Sequence, residues 1–219
     1  MTVLPTEIGL SVMMRDGSQA EHKDAEGSSF MASLLDGKVN ETGYTEYLAM
    51  LRPVYAALES VAATLGDDPI AGAIIDPALN RLEAIDRDLD FWTRGAGAPA
   101  ISSPAVERYV ARIEATVEDP TLFVAHHYTR YLGDLSGGQA IGRILARTFE
   151  LADDEGIAFY RFDAIPKPKP YKDEYRASLD ALPLTDRDKQ RVVDEVKVVF
   201  GLNGALFEEL SAHLPRYAR

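Results

Sequence analysis

Tyr128-Thr-Arg-Tyr-Leu-Gly-Asp-Leu-Ser-Gly-Gly-Gln-Ala140 sets Gly133, Gly137 and Gly138 inside a stretch whose apolar spacing is otherwise helical. A glycine in a helix interior costs roughly 1 kcal/mol relative to alanine, so together these forfeit about 3 kcal/mol unless something other than helix formation requires them. Gly133 and Gly137 stand one turn apart and share a face. A face without Cβ atoms lets a flat object approach the backbone to van der Waals contact, and the weakened helix can flex over it. The expected ligand is broad and planar. Close packing of two helices is the alternative reading of a lone glycine pair. The neighbours weigh against it, because Tyr128, Arg130, Tyr131 and Asp134 crowd the same turns. An Arg130/Asp134 pair four apart on an apolar helix implies an organised polar network.

Outward from this stretch the periodicity stays helical almost throughout, with no alternating run of strand length, so the fold class is all-α. Pro5 and Thr6 suit the start of a first helix in which Ile8, Val12, Arg15, Gln19, His22 and Glu26 recur at three- to four-residue steps, turning His22 inward. Gly43 to Leu65 carries Tyr47, Leu48, Leu51, Val54, Tyr55, Leu58 and Val61 at helical spacing, with a bend expected at Arg52-Pro53 and a stop at Gly66-Asp-Asp-Pro69. Further helices are expected over Pro77 to Thr93 and Pro104 to Val117, and the glycine-bearing helix follows directly. Ile165-Pro-Lys-Pro-Lys-Pro-Tyr171 is expected to be an extended loop, since alternating prolines deny hydrogen bonds to helix and ladder alike. Thr185-x-x-Asp188 resembles a capping box with Asp in place of Glu, opening a long helix through Val192, Val196, Val199, Phe200, Leu206, Phe207 and Leu210.

At 219 residues and 46% hydrophobic content, the chain can bury a full core as one domain spanning residues 1–219. It has no cysteine, which excludes disulfides, thiolate ligation of iron, covalent haem attachment through Cys-x-x-Cys-His and a cysteine nucleophile. No run approaches the roughly 18 apolar residues that cross a bilayer, and the N-terminus lacks a basic region followed by an apolar one. A cytoplasmic protein without a membrane anchor is expected. A net charge of -12 repels phosphate backbones, so nucleic acid is not an expected partner. Lys167, Lys169, Lys172 and Arg176 nevertheless concentrate positive charge where an anionic ligand or partner can bind.

Other motifs fail on their own requirements. Leu135-Ser-Gly-Gly-Gln139 matches the signature loop of ABC-type ATPases, which also need a phosphate-binding G-x-x-x-x-G-K-[ST] loop and a parallel sheet. Asp86-Arg-Asp-Leu-Asp90 imitates the start of a calcium loop but places Phe91 where glycine is required and Gly97 where glutamate is. No Glu-x-x-His occurs, which argues against a di-iron carboxylate bundle. Among His22, His126, His127 and His213, His22 has Glu26 four residues on, where a carboxylate can receive one ring N–H and fix the tautomer. On spacing alone a structural histidine is the commoner case. His126 and His127 precede the glycine face and read as structural or as a support to the residues that touch the ligand, and His213 as solvated or packing.

Ala125-His-His-Tyr-Thr-Arg-Tyr-Leu-Gly-Asp-Leu-Ser-Gly-Gly-Gln139 resembles the distal-helix signature of the haem oxygenases, and Glu21-His22-Lys-Asp-Ala-Glu26 with Phe30-Met31 is similar to the segment carrying that family's iron ligand. The likeness extends from about Leu10 to Leu214. It implies a soluble bacterial-type enzyme with haem b between a proximal and a glycine-rich distal helix. Haem is then both cofactor and substrate, cleaved with O2 and electrons from an external reductase of ferredoxin or flavodoxin-reductase type to biliverdin, ferrous iron and carbon monoxide. The chain is expected to act as a monomer.

Carried over residue by residue, the resemblance makes His22 the proximal ligand of the haem iron, with Glu26 beside it. Gly133 and Gly137, with Gly138, leave no bulk over the iron, so that O2 is steered toward the ring edge. Asp134 holds an ordered water as a proton relay, with Arg130, Tyr55 and Tyr109 as partners. Arg15, Tyr128, Lys172 and Arg176 align with positions that seat the haem propionates. Arg15 stands where relatives often have lysine and Gln19 replaces a further basic residue, which loosens the case for attack at the α meso carbon. Met31, Leu35, Phe162, Phe200 and Phe207 are expected pocket walls. A non-enzymatic haem carrier is the alternative. Cofactor-free enzymes of the same helical fold are disfavoured by His22 with the glycine helix, and their thiaminase branch by the lack of cysteine.

Overall fold

A computed structural model of the chain describes residues 8–152 and 155–219; Pro5 and Thr6, the expected start of the first helix, lie outside the described residues. The helices are α1 (Leu10–Gly17), α2 (Gln19–Glu26), α3 (Ser29–Leu35), α4 (Glu41–Thr64), α5 (Leu82–Thr93), α6 (Pro104–Glu114), α7 (Pro120–His127), α8 (Gln139–Thr148), α9 (Pro168–Asp180), α10 (Asp186–Ser211) and α11 (Leu214–Tyr217). Among the described residues there is no strand, and an isolated antiparallel bridge pairs Val39 with Ala218. The fold is all-α, as the periodicity requires. No helix among the described residues is long and apolar enough to cross a membrane.

Two long helices organise the rest. α4 packs on α5 and α6, while α10 packs on α1, α2, α3, α6 and α7, and their buried faces join in one hydrophobic core. The Asn40 side chain caps α4 by accepting from the Gly43 amide at 3.0 Å. A Cβ at Gly43 would lie 2.7 Å from Tyr217 Cγ, so this glycine is the price of seating the C-terminal segment against α4. α4 runs uninterrupted through Pro53. Thr185 opens α10 as expected, accepting from the Asp188 amide at 3.2 Å while its hydroxyl donates to Asp188 Oδ2 at 2.6 Å.

Several expected boundaries are corrected. The first helix is two helices, broken at Ser18 (φ -123°, ψ 16°), whose hydroxyl donates to the Met14 carbonyl at 2.7 Å. Serine after glycine competes with the helical backbone for hydrogen bonds and ends the first piece. Pro77 to Thr93 divides into a 3-10 turn, Pro77–Leu79, and α5. Glu59 of α4 accepts from the Arg81 and Leu82 amides at 2.6 and 2.8 Å and so sets where α5 begins. The Pro104 segment is α-helical to Glu114 and tightens to a 3-10 turn over Ala115–Glu118. The proline-rich stretch is not a loop throughout: α9 begins at Pro168. Prolines cost little in a first turn, where the backbone N–H has no intrahelical partner anyway.

Candidate functional site

The glycine helix is not a regular α-helix. Between α7 and α8 the chain makes two π-helical turns, Tyr128–Leu132 and Asp134–Gly138, joined at Gly133. Such i to i+5 turns are rare and widen the helix. A Cβ built on Gly133 or Gly137 would meet nothing within 4 Å, so both present bare backbone to open space. Gly138 is different. Its Cβ would stand 3.0 Å from Tyr160 Cδ1, and one at Gly142 would stand 3.0 Å from Tyr160 Cβ. Gly133 and Gly137 thus face open space, while Gly138 and Gly142 admit the Tyr160 ring.

The slot has an outer cleft of about 340 Å³, walled by residues of α1, α2, α9, α10 and the first π turn, including Arg15, His22, Tyr128, Gly133, Arg176 and Phe200. An inner recess of about 130 Å³ adds Met31, Tyr47, Asp134, Gly137, Asn203 and Phe207. His22, Thr129, Gly133 and Phe200 border both spaces. Leu35 is 41% exposed, and Phe162 lies under the Arg81 guanidinium at 3.9 Å; neither lines the slot, contrary to expectation.

His22 sits on α2 with 52% of its side chain exposed, so it faces the slot and not the core. Its ring stands edge-on to Phe200 at 5.2 Å. Nδ1 lies 3.5 Å from Glu26 Oε2, leaving Nε2 as the ring nitrogen for a ligand bond. The adjacent histidines are buried. Burial lowers the His126 pKa, and its Nε2–H donates to Glu195 at 3.0 Å. Burial lowers His127 to about 3, and its Nδ1 bonds the Tyr175 hydroxyl at 2.7 Å. His213 is exposed near the chain end.

Asp134, Arg130 and Tyr55 form one buried network. The Tyr55 hydroxyl donates to Asp134 Oδ2, while Arg130 Nε and Nη2 donate to the Tyr55 oxygen at 3.1 and 2.7 Å. Arg130 Nη1 donates to Asn203 Oδ1 at 2.8 Å, and Nη2 lies 3.6 Å from Asp134 Oδ1. Burial pushes the Asp134 carboxyl above the usual carboxylate range even though Arg130 and Tyr55 oppose it. Tyr109 borders this network, close enough for Arg130, Asn203 and Asp134 to act on its hydroxyl. Burial raises it to about 12, and its hydroxyl has no hydrogen-bond partner among the described residues. Its ring packs in the core on α6, 6.1 Å from His126.

Of the expected anion-binding residues, Arg15, Tyr128 and Arg176 line the outer cleft. Lys172 stands beside it, its Nζ donating to Ser136 Oγ at 3.1 Å, and Ser136 is part of the wall. Sequence reasoning missed Asn203, Tyr47, Tyr160 and Thr129. Asn203 had a signal, since it shares a face with Phe200 and Phe207 in α10, a polar residue in an apolar stripe. Tyr160 had none, because it reaches the glycine helix from a 3-10 turn outside any periodic segment.

A slot with one imidazole wall, one wall of bare backbone and cations at its mouth fits a flat, dianionic metalloporphyrin. Within an all-α fold, these features define a helical haem protein. The model of the family described as "Heme oxygenase" matches residues 8–209, and the chain belongs to that family. The heme oxygenase of Pyropia yezoensis is 40% identical over 201 residues, covering 91% of this chain and 84% of that one. Heme oxygenase 1 of Homo sapiens is 37% identical over 205 residues, covering 92% and 71%. The crystal structure of heme oxygenase-1 from the cyanobacterium Synechocystis, in complex with heme, superposes with a TM-score of 0.90 at 36% identity, covering 95% of each chain. The protein is a haem-degrading enzyme for which haem is both cofactor and substrate. The comparisons give the carrier alternative no support.

Proposed function

We propose that this enzyme, a monomeric cytoplasmic single domain over residues 1–219, cleaves haem b to biliverdin, ferrous iron and carbon monoxide. It takes O2 and electrons from a ferredoxin- or flavodoxin-reductase-type donor. The observation that carries the reading is the opposition of bare backbone at Gly133 and Gly137 to the half-exposed His22 imidazole. When bound, haem supplies both the iron that activates O2 and the porphyrin that is cut. His22 would hold the iron through Nε2, with Glu26 orienting the ring from Nδ1. A neutral imidazole donates less charge than a thiolate and suits a reaction that ends in metal release.

On the opposite wall, Gly133 and Gly137 would present backbone and not side chain to the bound group, leaving room there for O2, with the α meso position the expected site of attack. Asp134 holds and passes a proton from Oδ1, the oxygen that Tyr55 leaves free, through an ordered water. Burial raises its pKa, which makes the carboxyl a better proton acceptor than an exposed aspartate. Tyr55 and Arg130 position Asp134, and Arg130 is itself held by Asn203. Met31, Phe200 and Phe207 exclude water, Gly138 lets Tyr160 press close to the helix at the inner end of the recess, and Arg15, Tyr128, Lys172 and Arg176 receive the propionates.

The test is a stoichiometric haem titration followed, in air, by reductase and reduced nicotinamide with catalase present. Loss of the Soret band, growth of bilin absorbance and trapped carbon monoxide are expected. A stable porphyrin spectrum with several electron donors refutes the proposed reaction, and absence of haem binding refutes the site.

A further inference from the structure

Helix α1 carries its side of the cleft without a cap of its own. Its N-cap is Gly9, and no side chain of its own segment accepts from its first turn. The acceptor comes from the far end of α9, where Asp180 Oδ1 takes the Ser11 amide at 2.7 Å and Oδ2 takes the Ser11 hydroxyl at 3.0 Å. The fit is tight. A Cβ on Gly9 would lie 2.6 Å from Cγ and both oxygens of Asp180, although Gly9 has backbone angles (φ -64°, ψ 150°) that any residue adopts. The glycine is there for the carboxylate, not for the turn.

The register matters for the cleft. Ser11 and Arg15 are four apart on α1, Arg176 and Asp180 four apart on α9, and the two helices pack on each other. Residues four apart share a helix face. The Ser11–Asp180 contact therefore stands one turn from the level at which Arg15 and Arg176 line the cleft. Two guanidinium groups on one cleft repel, and the Asp180 bonds hold the helices that carry them together.

We infer that Asp180 is a positioning residue: by capping α1 from α9 it sets the separation of Arg15 and Arg176, and so the seat of the haem carboxylates. The inference rests on the reading that these arginines receive the propionates. The test compares binding of haem and of haem dimethyl ester, whose carboxylates are blocked, to the unsubstituted protein and to Asp180→Ala, Asp180→Asn and Gly9→Ala, with thermal melts as the check on folding.

Loss of a helix cap predicts about a fivefold weaker haem affinity for Asp180→Ala and Gly9→Ala, with ester affinity unchanged. Asp180→Asn keeps an acceptor for the Ser11 amide and is expected to retain most of the affinity. Equal weakening of haem and ester would make Asp180 a structural staple and overturn the inference, as would a haem preference undiminished in Asp180→Ala and Gly9→Ala. If the unsubstituted protein binds haem and ester equally, the arginine reading itself fails and takes the inference with it.

Discussion

Glu195 offers a stability test whose size follows from its surroundings. The side chain is 4% exposed on α10, accepts from Arg112 Nε at 2.8 Å and from His126 Nε2 at 3.0 Å, and ties α6 and α7 to the helix that carries Phe200 and Asn203. Burial alone would raise its pKa. The hydrogen bonds from His126 and Arg112 and the Arg112 charge outweigh burial and hold it at about 2, against 4.5 when unfolded. Folding thus favours the carboxylate, and its stabilisation is fully present above pH 4.5 and is lost as pH falls toward 2. At about 1.36 kcal/mol per pKa unit the shift corresponds to about 3 kcal/mol. Arg112 is 44% exposed, so solvent screening reduces this to about 2–3 kcal/mol. Glu195→Gln is expected to lower the free energy of unfolding by that amount at pH 7, read from urea melts, with the gap closing between pH 4.5 and 2. A gap that stays constant over that range would refute the argument, since it would arise from packing and not from charge.

His22→Ala should leave the helical fold intact, because the side chain is half exposed. Resonance Raman of the haem complex should lose the imidazole–iron stretch, and its persistence would remove His22 as the ligand. Asp134→Ala is expected to bind haem but lose bilin formation and gain some peroxidase activity; an unchanged biliverdin yield would sink the proton-relay role. Gly137→Ala should stabilise the haem-free protein by about 0.5–1 kcal/mol, since its Cβ meets nothing within 4 Å, while weakening haem binding. Gly138→Ala, pressed 3.0 Å from Tyr160, should destabilise it. The same sign in both melts would contradict the division of the glycines between slot and core.

Much of the fold was legible because its determinants repeat every three to four residues. The stripes over Gly43 to Leu65 and Val192 to Leu210 became α4 and α10, with Thr185 capping the latter. The first helix was legible except at Ser18, where a local side-chain bond to Met14 interrupts an otherwise continuous pattern. Proline chemistry misled at Pro168, since the same residue that ends a helix also begins one. In the site, Arg130 and Asp134 were legible as an i, i+4 pair and do share one network, but the pattern does not say that Tyr55 lies between them. Tyr109 was assigned to that network by likeness, and it borders Arg130 from α6 while its ring packs near His126.

The sequence by itself determined that the chain is helical, that no cysteine thiolate is available as a ligand, and that Gly133 and Gly137 stand one turn apart on one helix face. Each follows from composition or from spacing within one helix. Only the tertiary structure decided that Gly138 and Gly142 belong to Tyr160, that Asn203 holds Arg130, and that Asp180 caps a helix beginning 170 residues before it. Those relations join different elements, and helical periodicity carries no information about which faces will meet once the core closes.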